Sequence, residues 1–433
     1  MTPPPATDQS IVVMKFGGTS VADAERILSA ARRIVDAKEQ GNGVVAVLSA
    51  RGATTDELVK MAFEISPEPQ PREMDMLLST GERISCALCA MAIHDLGSQA
   101  ISLSGSQAGI VTDTSHTKAR ILDVRADRIR AALDEGNIVL VAGFQGVSTA
   151  QNVTTLGRGG SDTTAVALAA ALRARVCEIY TDVDGVFSAD PRIVPDARKL
   201  PVVSFEEMLE MAASGARVLQ LRSVEYARNY GVRIHVRPSF GDGSGTLVLG
   251  EEETMERPLI TAVTHSTEDA RVTLTGVPDR PGIAARIFRV LADADVNVDM
   301  IVQNEPVSAD QRAEISFTLP KDDLSMARRS LESLVEELEL DAVIADEQMG
   351  KVSIVGAGMR SHPGVAARVF ETISEQDINI EMISTSPIKI SCVIAAARVP
   401  DAVRALHEAF GLGAEDVRPE DPYGAAHRPS VSR

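Results

Sequence analysis

Apolar runs of β type alternate with amphipathic helical patterns from Ile11 to about Tyr230. Short runs rich in Val, Ile, Leu and Ala predict buried strands at 11–14, 44–48, 99–103, 138–141 and 176–181. Periodic patterns between them predict helices at 22–37, 73–96, 124–135 and 162–174. The alternation predicts an α/β fold, a mainly parallel sheet sandwiched by helices, in which ligands bind at the carboxyl ends of the strands.

A second region follows the turn-rich stretch 241–245 and contains an internal repeat with a period of 82 residues. Gly276, Pro281, Gly282, Ala284, Ala285, Arg286, Phe288, Asp295, Asn297, Met300 and Ile301 recur as Gly358, Pro363, Gly364, Ala366, Ala367, Arg368, Phe370, Asp377, Asn379, Met382 and Ile383. Two copies of one unit are therefore present, each predicted as a small α/β sandwich. The Pro-Gly turn before each helix offers amides to a ligand carboxylate, which favours small-molecule sensing over dimerisation alone.

Charge and cysteine content exclude several classes of partner. The net charge of -18 disfavours nucleic acid and anionic membrane surfaces. We see no apolar run of bilayer length and expect no membrane partner. Cys86 and Cys89 form a C-x-x-C in an apolar helical pattern, which favours buried packing over metal or redox chemistry. No metal ligand is assigned, and a cytoplasmic location is expected.

Lys15 ends the first apolar run and is followed at once by Gly17 and Gly18. A lysine and two glycines between a strand and a helix are typical of a phosphate site, because backbone amides and the helix N-terminus add to the lysine charge. The lysine precedes the glycines, whereas the common P-loop places it after them. A Gly-rich turn with a solvated lysine is the alternative interpretation.

A second glycine-rich motif, Gly157–Asp162, leads into the Ala-rich helical pattern. Ser161 or Asp162 can cap that helix. A cap does not explain Arg158 among three glycines, where a guanidinium can grip a carboxylate or phosphate with two hydrogen bonds. Two anion sites predict phosphoryl transfer between two negatively charged reactants. A carboxylate acceptor is already ionised at pH 7, so cationic groups and Mg²⁺ on the nucleotide are needed instead of a histidine base.

These motifs, with Ser49-Ala50, Thr54–Asp56, Gly81–Arg83 and Thr181–Phe187, resemble the aspartokinases. That family belongs to the amino-acid kinase superfamily and carries two C-terminal ACT modules of βαββαβ type. The resemblance extends from about Ile11 to about Leu412. It implies a kinase domain at 11–250, a first ACT module at 259–345 completed by the C-terminal segment, and a second at 346–412. The termini 1–10 and 413–433 are expected to be flexible.

The resemblance implies transfer of the ATP γ-phosphoryl group to the β-carboxylate of L-aspartate, which gives 4-phospho-L-aspartate and opens the route to lysine, methionine and threonine. Lys15, Arg158 and Asp162 are the implied catalytic residues, and Thr55, Glu82 and Arg158 would bind aspartate. The implied ATP contacts are Lys15, Phe16, Gly17, Gly18, Ser49, Gly159, Gly160, Ser161, Thr181, Asp182, Phe187, Asp190, Arg192 and Arg217. Arg217 stands where many relatives have lysine. Thr55 as a helix cap and Glu82 as a solvated helix residue are the alternatives.

The resemblance also implies an effector site between the ACT modules, for lysine, threonine or both. Its implied residues are Asp279, Gly282, Ile283, Ala284, Asn297, Gln303, Val365, Ala366, Asn379, Ile380 and Ser386. Ala366 replaces a threonine hydroxyl common among responsive relatives, and losing one hydrogen bond weakens binding by about 0.5–1.5 kcal/mol. We therefore expect feedback inhibition to be present but weakened. A homo-oligomer through the ACT modules is expected, or a hetero-oligomer with a separate regulatory subunit starting near Met255.

Two other functions are considered. The first is another enzyme of the same superfamily, acting on glutamate, acetylglutamate or a nucleotide, which the duplicated module and the Gly157–Asp162 motif disfavour. The second is a non-catalytic protein that only senses amino acids, which Lys15, Arg158 and Asp162 disfavour.

Overall fold

A computed structural model describes residues 10–250, 259–304, 312–362 and 364–413. The first of these ranges contains the following helices and strands: β1 (Ile11–Phe16), α1 (Ala24–Glu39), β2 (Gly43–Leu48), α2 (Thr54–Ile65), α3 (Pro71–Leu78), α4 (Thr80–Asp95), β3 (Ala100–Leu103), β4 (Ile110–Thr112), β5 (Ile121–Val124), α5 (Asp127–Asp134), β6 (Ile138–Ala142), β7 (Gln145–Ser148), β8 (Val153–Thr155), α6 (Gly160–Leu172), β9 (Val176–Thr181), β10 (Val202–Ser204), α7 (Phe205–Ala213), α8 (Leu221–Tyr230), β11 (Ile234–Pro238) and β12 (Thr246–Leu249).

Eight of these strands form one sheet in the order β10-β12-β11-β9-β1-β2-β6-β3. Neighbouring strands run parallel except β11 and β12, which are antiparallel. The mainly parallel sheet predicted from the sequence is confirmed. Because β1 lies at the centre, the residues that follow its carboxyl end have neighbours from β2 and β9 on either side. The remaining strands form a small side sheet in the order β5-β4-β7-β8.

Helices cover both faces of the large sheet, which explains why its strands read as continuous apolar runs. On one face Val13, Val45 and Val139 pack with residues of α5, α6, α7 and α8. On the other face Val12 and Met14 pack with residues of α1 and α4. Cys86 and Cys89 of α4 are buried in this second cluster as free thiols, as expected for packing residues.

The helix predicted at 73–96 is interrupted at Ser79 and forms α3 and α4. The Ser79 carbonyl accepts a hydrogen bond from Gln145 Nε2 at 2.8 Å, a partner that the local pattern does not reveal. The stretch Pro71–Asp95 is nevertheless apolar and long enough to cross a membrane, contrary to our expectation that no such run exists. Because 56% of its most apolar part is buried in the fold, core packing accounts for that composition.

The second half of the chain contains β13 (Ala262–Ser266), β14 (Asp269–Pro278), α9 (Ile283–Asp293), β15 (Ile301–Asn304), β16 (Arg312–Pro320), α10 (Leu324–Glu337), β17 (Ala342–Asp346), β18 (Met349–Val355), α11 (Val365–Glu375), β19 (Met382–Ser386), β20 (Lys389–Ala395) and α12 (Val399–Ala409). Two antiparallel sheets result, in the orders β15-β16-β14-β17 and β13-β18-β20-β19. The repeated helices α9 and α11 occupy equivalent places, as the sequence repeat predicts.

The division between the two modules differs from the predicted one. Strand β13 lies in the range assigned to the first module, yet it pairs with β18 and completes the second sheet. Helix α12 packs on β13 and β18, so the C-terminal segment belongs to the second module and does not complete the first. The sequence repeat begins after β13, so it predicts the strands within each copy but does not indicate which module β13 joins. The predicted flexible ends fall almost wholly on 1–9 and 414–433, outside the described residues.

The core of the second module extends into the kinase domain. Ala189 and Val194, from the loop after β9, are buried in one cluster with Ile260, Val263 and Leu406. The Val263 amide donates a hydrogen bond to the Ser188 carbonyl at 2.7 Å. The loop that follows β9 is therefore held by the second module as well as by the large sheet.

Candidate active site

Lys15 and Asp162 form a buried ion pair at the carboxyl end of β1. Lys15 Nζ lies 2.5 Å from Asp162 Oδ1, and the two side chains are only 12% and 9% exposed. Asp162 sits in the first turn of α6, where the helix N-terminus stabilises negative charge. The two glycine motifs of the sequence thus meet at one point, with an ammonium group between them.

The turn after Lys15 packs closely against the loop that follows β2. A Cβ placed on Gly18 would lie 2.8 Å from the Ala50 carbonyl oxygen, so only glycine fits there. The Gly52 amide donates to the Gly18 carbonyl at 3.0 Å. This contact brings Ser49, at the end of β2, next to the predicted phosphate turn. The ring of Phe16 is buried and stacks on Tyr180 at 4.7 Å, which leaves Phe16 only backbone atoms for a nucleotide.

Glu82 is buried near the same loop, in the first turn of α4. Its Oε1 accepts a hydrogen bond from the Ala50 amide at 3.2 Å. Its Oε2 is buried without a hydrogen-bond partner among the residues that the structure describes. Burial raises the pKa of the Glu82 carboxyl from 4.5 to about 7. The alternative of a solvated helix residue is therefore wrong, and an unsatisfied carboxylate of this kind suits a bound cation.

Thr55 lies in the first turn of α2, half-buried. The residue at the N-cap position of α2 is Ala53, so Thr55 does not cap this helix. Gly81 packs against Ala50, and the methyl group of Thr54 lies close by. The start of α2 and the start of α4 therefore adjoin, and they place Thr55 and Glu82 in the same neighbourhood.

Arg158 projects into solvent. Its side chain is 95% exposed, and its ion-pair partner is Asp322 of the first ACT module, at 3.9 Å. The structure therefore does not bring its guanidinium to the Lys15–Asp162 pair, although Gly159, Gly160 and Ser161 lead directly from it into α6. Lys118 makes a second contact with this module, to Asp295 at 2.8 Å, which raises the pKa of Lys118.

The predicted nucleotide residues fall into two groups. Thr181 and Asp182 follow β9, next to β1, and the Thr181 carbonyl accepts a hydrogen bond from the Ser239 amide. Asp190 and Arg192 form an ion pair at 2.7 Å that lowers the pKa of Asp190, and Phe187 lies in the same loop. Arg217 forms an exposed ion pair at 3.0 Å with Glu268, a residue of the turn between β13 and β14, and its contact with the nucleotide stays a prediction.

Three further polar residues adjoin the site and were missed in the sequence. The Ser20 and Ser239 hydroxyls share a hydrogen bond at 2.6 Å between the phosphate turn and the end of β11. Asp75 of α3 is fully buried and binds Thr155. Ser239 could have been found from its position after a strand of the parallel sheet, whereas no local motif surrounds Asp75.

A divalent cation has few protein ligands at this site. The described ranges contain no group of three or more His, Cys, Asp or Glu side chains placed to hold a metal ion. Mg²⁺ in nucleotide sites takes one or two carboxylates together with substrate phosphates. The donor set fits that pattern, since Asp182 follows the central strand β9 and Asp162, at the start of α6, lies beside Lys15 of β1.

The predicted effector residues lie around the first helix and the edge strand of each ACT module. Asp279, Gly282 and Ala284 lie at the start of α9, and Gln303 lies on the edge strand β15. Ala366, Asn379, Ile380 and Ser386 occupy the equivalent places around α11 and β19, and Asn297 precedes β15. The side chains of Ile283 and Val365 are buried, so only their backbone can reach a ligand.

Comparisons with known proteins agree with this architecture. The Amino acid kinase family matches residues 10–238, and the ACT domain matches residues 272–334 and 352–410. The aspartokinase of Mycolicibacterium smegmatis is 58% identical over 410 residues, which cover 94% of this chain and 97% of that protein. The aspartokinase of Corynebacterium glutamicum is 54% identical over 410 residues, with the same coverage of 94% and 97%.

Solved structures give the same result. The crystal structure of E. coli aspartokinase III in complex with aspartate and ADP matches with a TM-score of 0.79 at 26% identity, covering 92% of this chain and 99% of that one. The lysine and aspartate complex of the same enzyme matches with a TM-score of 0.71 at 27% identity, covering 92% and 99%. The resemblance in the sequence is confirmed, and so is the class of enzyme. The chain belongs to the aspartokinase family, phosphotransferases in which an amino-acid kinase domain is followed by ACT domains.

Proposed function

We propose that the protein transfers the γ-phosphoryl group of ATP to the β-carboxylate of L-aspartate, giving 4-phospho-L-aspartate as the first step toward lysine, methionine and threonine. The observation that carries this proposal is the Lys15–Asp162 pair at 2.5 Å, at the junction of two glycine motifs. The related E. coli enzyme, whose crystals contain aspartate and ADP, supports the choice of substrates.

The phosphoryl side of the reaction needs stabilisation of negative charge. Lys15 and the Gly18 amide would hold the β- and γ-phosphates, and the start of α6 would add a helix N-terminus. The Gly17 amide, which was also predicted to contact phosphate, donates instead to the Tyr180 carbonyl at 3.3 Å. Mg²⁺ bound to the nucleotide, near Asp162 and Asp182, would neutralise further phosphate charge. Because the acceptor carboxylate is already ionised, Asp162 has no proton to remove and serves to hold the Lys15 ammonium in place.

The aspartate side requires a cation site and an anion site. Glu82 supplies the first, since a substrate ammonium group would satisfy its unpartnered Oε2 and restore its charged form. Thr55 and Arg158 supply the second. Arg158 would first leave Asp322, a pair that is 95% and 87% exposed and therefore cheap to break.

Regulation by lysine, threonine or both is proposed for the ACT modules, with the weakened response expected from Ala366. Two contacts support a route to the kinase domain. Ser386 Oγ donates to Glu210 Oε1 of α7 at 3.2 Å, and Lys389 pairs with Glu210 at 2.8 Å. The exposed edges of β15 and β19 support association through the ACT modules, with a second copy or with a separate regulatory subunit. A cytoplasmic location remains part of the proposal.

A coupled ADP-release assay with hydroxamate detection of the acyl phosphate tests the substrate. We expect turnover with L-aspartate and at least about a hundredfold lower kcat/KM with L-glutamate or N-acetylglutamate. Titration with lysine, threonine and their mixture then tests regulation. Turnover of another acidic amino acid in preference to aspartate would refute the proposed substrate, and complete inhibition by both effectors at low micromolar levels would refute weakened feedback.

A further inference from the structure

Asp75 is a buried carboxylate that lies outside the proposed machinery. It belongs to α3 and is 0% exposed. Its Oδ1 accepts hydrogen bonds from Thr155 Oγ1 at 2.6 Å and from the Thr117 amide at 3.0 Å. Its Oδ2 lies 2.5 Å from His116 Nδ1. A fully buried carboxylate is tolerated only while these donors remain, because the free-energy cost of burying an unpaired charge is much larger than the net stabilisation from one hydrogen bond.

The three donors come from segments that flank the Gly157–Asp162 motif. Thr155 ends β8, two residues before Gly157. His116 and Thr117 belong to the loop between β4 and β5. Thr117 has φ +66°, a left-handed conformation that is unfavourable for a β-branched residue. The Asp75 carboxylate holds that conformation by accepting the Thr117 amide.

Thr117 in turn supports Gly157. A Cβ placed on Gly157 would lie 3.2 Å from the Thr117 carbonyl oxygen, and Gly157 itself has φ +77°. Arg222 of α8 fixes the other side, since its guanidinium donates to the Leu156 carbonyl at 3.0 Å and to the Ala119 carbonyl at 2.8 Å. The backbone at Leu156 and Gly157, directly before Arg158, is thus held from two sides by Thr117 and Arg222.

We propose that Asp75 is a positioning residue for the aspartate-binding loop. Through Thr155 and Thr117 it sets the path of Gly157 and the direction in which Arg158 departs, and it thereby controls the affinity for aspartate without touching either substrate. This inference rests on the proposed function. ATP binding should depend on it less, because Lys15, Gly17 and Gly18 are held by β1 and by the loop after β2.

The test compares Asp75→Asn, Thr155→Val and Thr155→Ser in the full-length enzyme. Asn keeps one acceptor oxygen but removes the charge that binds His116, and Val removes the Thr155 donor. We expect KM for aspartate to rise about tenfold in Asp75→Asn and about fivefold in Thr155→Val, with KM for ATP changed less than about twofold. Thr155→Ser keeps the hydroxyl and should restore the wild-type KM for aspartate.

Thr154→Val is the matched control. Thr154 is the neighbouring residue on β8, and its buried hydroxyl is hydrogen-bonded to Thr112 Oγ1 at 2.7 Å instead of to Asp75. It should lower the melting temperature about as much as Thr155→Val and leave KM for aspartate unchanged. Equal rises in KM for the two Val variants would show a general loss of stability and overturn the positioning role.

Unchanged KM for aspartate in both Asp75→Asn and Thr155→Val would also overturn the positioning role of Asp75. If Asp75→Asn does not fold, the variants Thr155→Val and Thr155→Ser, with Thr154→Val as control, still test the positioning role. Wild-type enzyme that fails to phosphorylate aspartate would instead refute the proposed function, and with it this inference.

Discussion

The two sides of the candidate site differ in how complete they are before substrate binds. On the phosphate side Lys15 and Asp162 already pair at 2.5 Å, and both side chains are at most 12% exposed. On the aspartate side Glu82 Oε2 has no partner within the described part of the chain, and Arg158 is 95% exposed. One half of the site is preorganised, and under the proposed function the other half would be completed by the ligand.

This difference predicts which kinetic parameter each half controls. Charges that are fixed in advance stabilise a transition state without rearrangement, so the phosphate side should act mainly on kcat. Groups that find their partners only in the complex contribute to substrate binding, so the aspartate side should act mainly on KM. The following predictions test that division, in order of decreasing effect.

Lys15→Ala should lower kcat by about 10²–10³ or more, because a fixed ammonium next to the transferring group is lost. KM for aspartate should change little. Steady-state kinetics measures both, and thermal unfolding checks that the variant is folded despite the unpaired Asp162. Lys60→Ala, on the exposed side of α2, is the control and should behave as wild type. Near-normal turnover of Lys15→Ala would remove this lysine from the mechanism.

Glu82→Gln should raise KM for aspartate by about 10–100-fold, the range expected for one hydrogen bond to a charged group, while kcat falls less. Because a buried unpaired carboxylate is replaced by a neutral amide, the free energy of unfolding without ligand should not fall. Glu39→Gln, at the exposed end of α1, is the control. A large loss of kcat with unchanged KM would place Glu82 on the phosphate side instead.

The pKa of Glu82, raised to about 7 by burial, gives aspartate binding a pH dependence. Below that value the carboxyl is protonated and offers no charge to the substrate ammonium, so KM for aspartate should fall by several-fold from about pH 6 to pH 7.5. The ligand-free protein should lose stability as the pH rises from about 4.5 to about 7, because the native state keeps a proton on Glu82 that the unfolded chain has already released. Glu82→Gln should flatten both profiles, and an unchanged pH profile in this variant would assign them to another group.

Asp322→Asn should have the smallest effect. It removes the partner of Arg158 in an exposed pair at 3.9 Å, and such pairs contribute little. We expect KM for aspartate to fall by less than about fivefold, with no change in melting temperature. A rise in KM would mean that Asp322 helps to place Arg158.

Features that depend on local pattern were predicted well from the sequence. Strands β1, β2, β6 and β9 are continuous apolar runs because both faces of the sheet are covered, and Gly18, in the turn after Lys15, stands where only glycine fits. The interruption at Ser79 was not predicted, and the residue that hydrogen-bonds the Ser79 carbonyl there, Gln145, lies 66 residues away.

Long-range partners also explain what the sequence did not reveal in the site. The donors to Asp75 are 41, 42 and 80 residues distant, so no local motif announces the cluster. The sequence indicated that Arg158 can bind an anion, but it did not reveal that the side chain lies in solvent, with Asp322 of the first ACT module as its ion-pair partner. The pairing of β13 also depends on a partner distant in sequence, because it pairs with β18, which begins at Met349.

The burial of Ala189 and Val194 in the core of the second ACT module affects how the chain can be divided. A polypeptide starting at Met255 would contain every strand of both ACT sheets. It would nevertheless present an uncovered apolar face where those two side chains are buried in the full-length protein. A shorter product of this kind would need to cover that face by rearranging its own chain or by association. The sequence repeat locates the two ACT modules, whereas the buried contacts of Ala189 and Val194 show that the second module also needs a segment of the kinase domain to cover its apolar core.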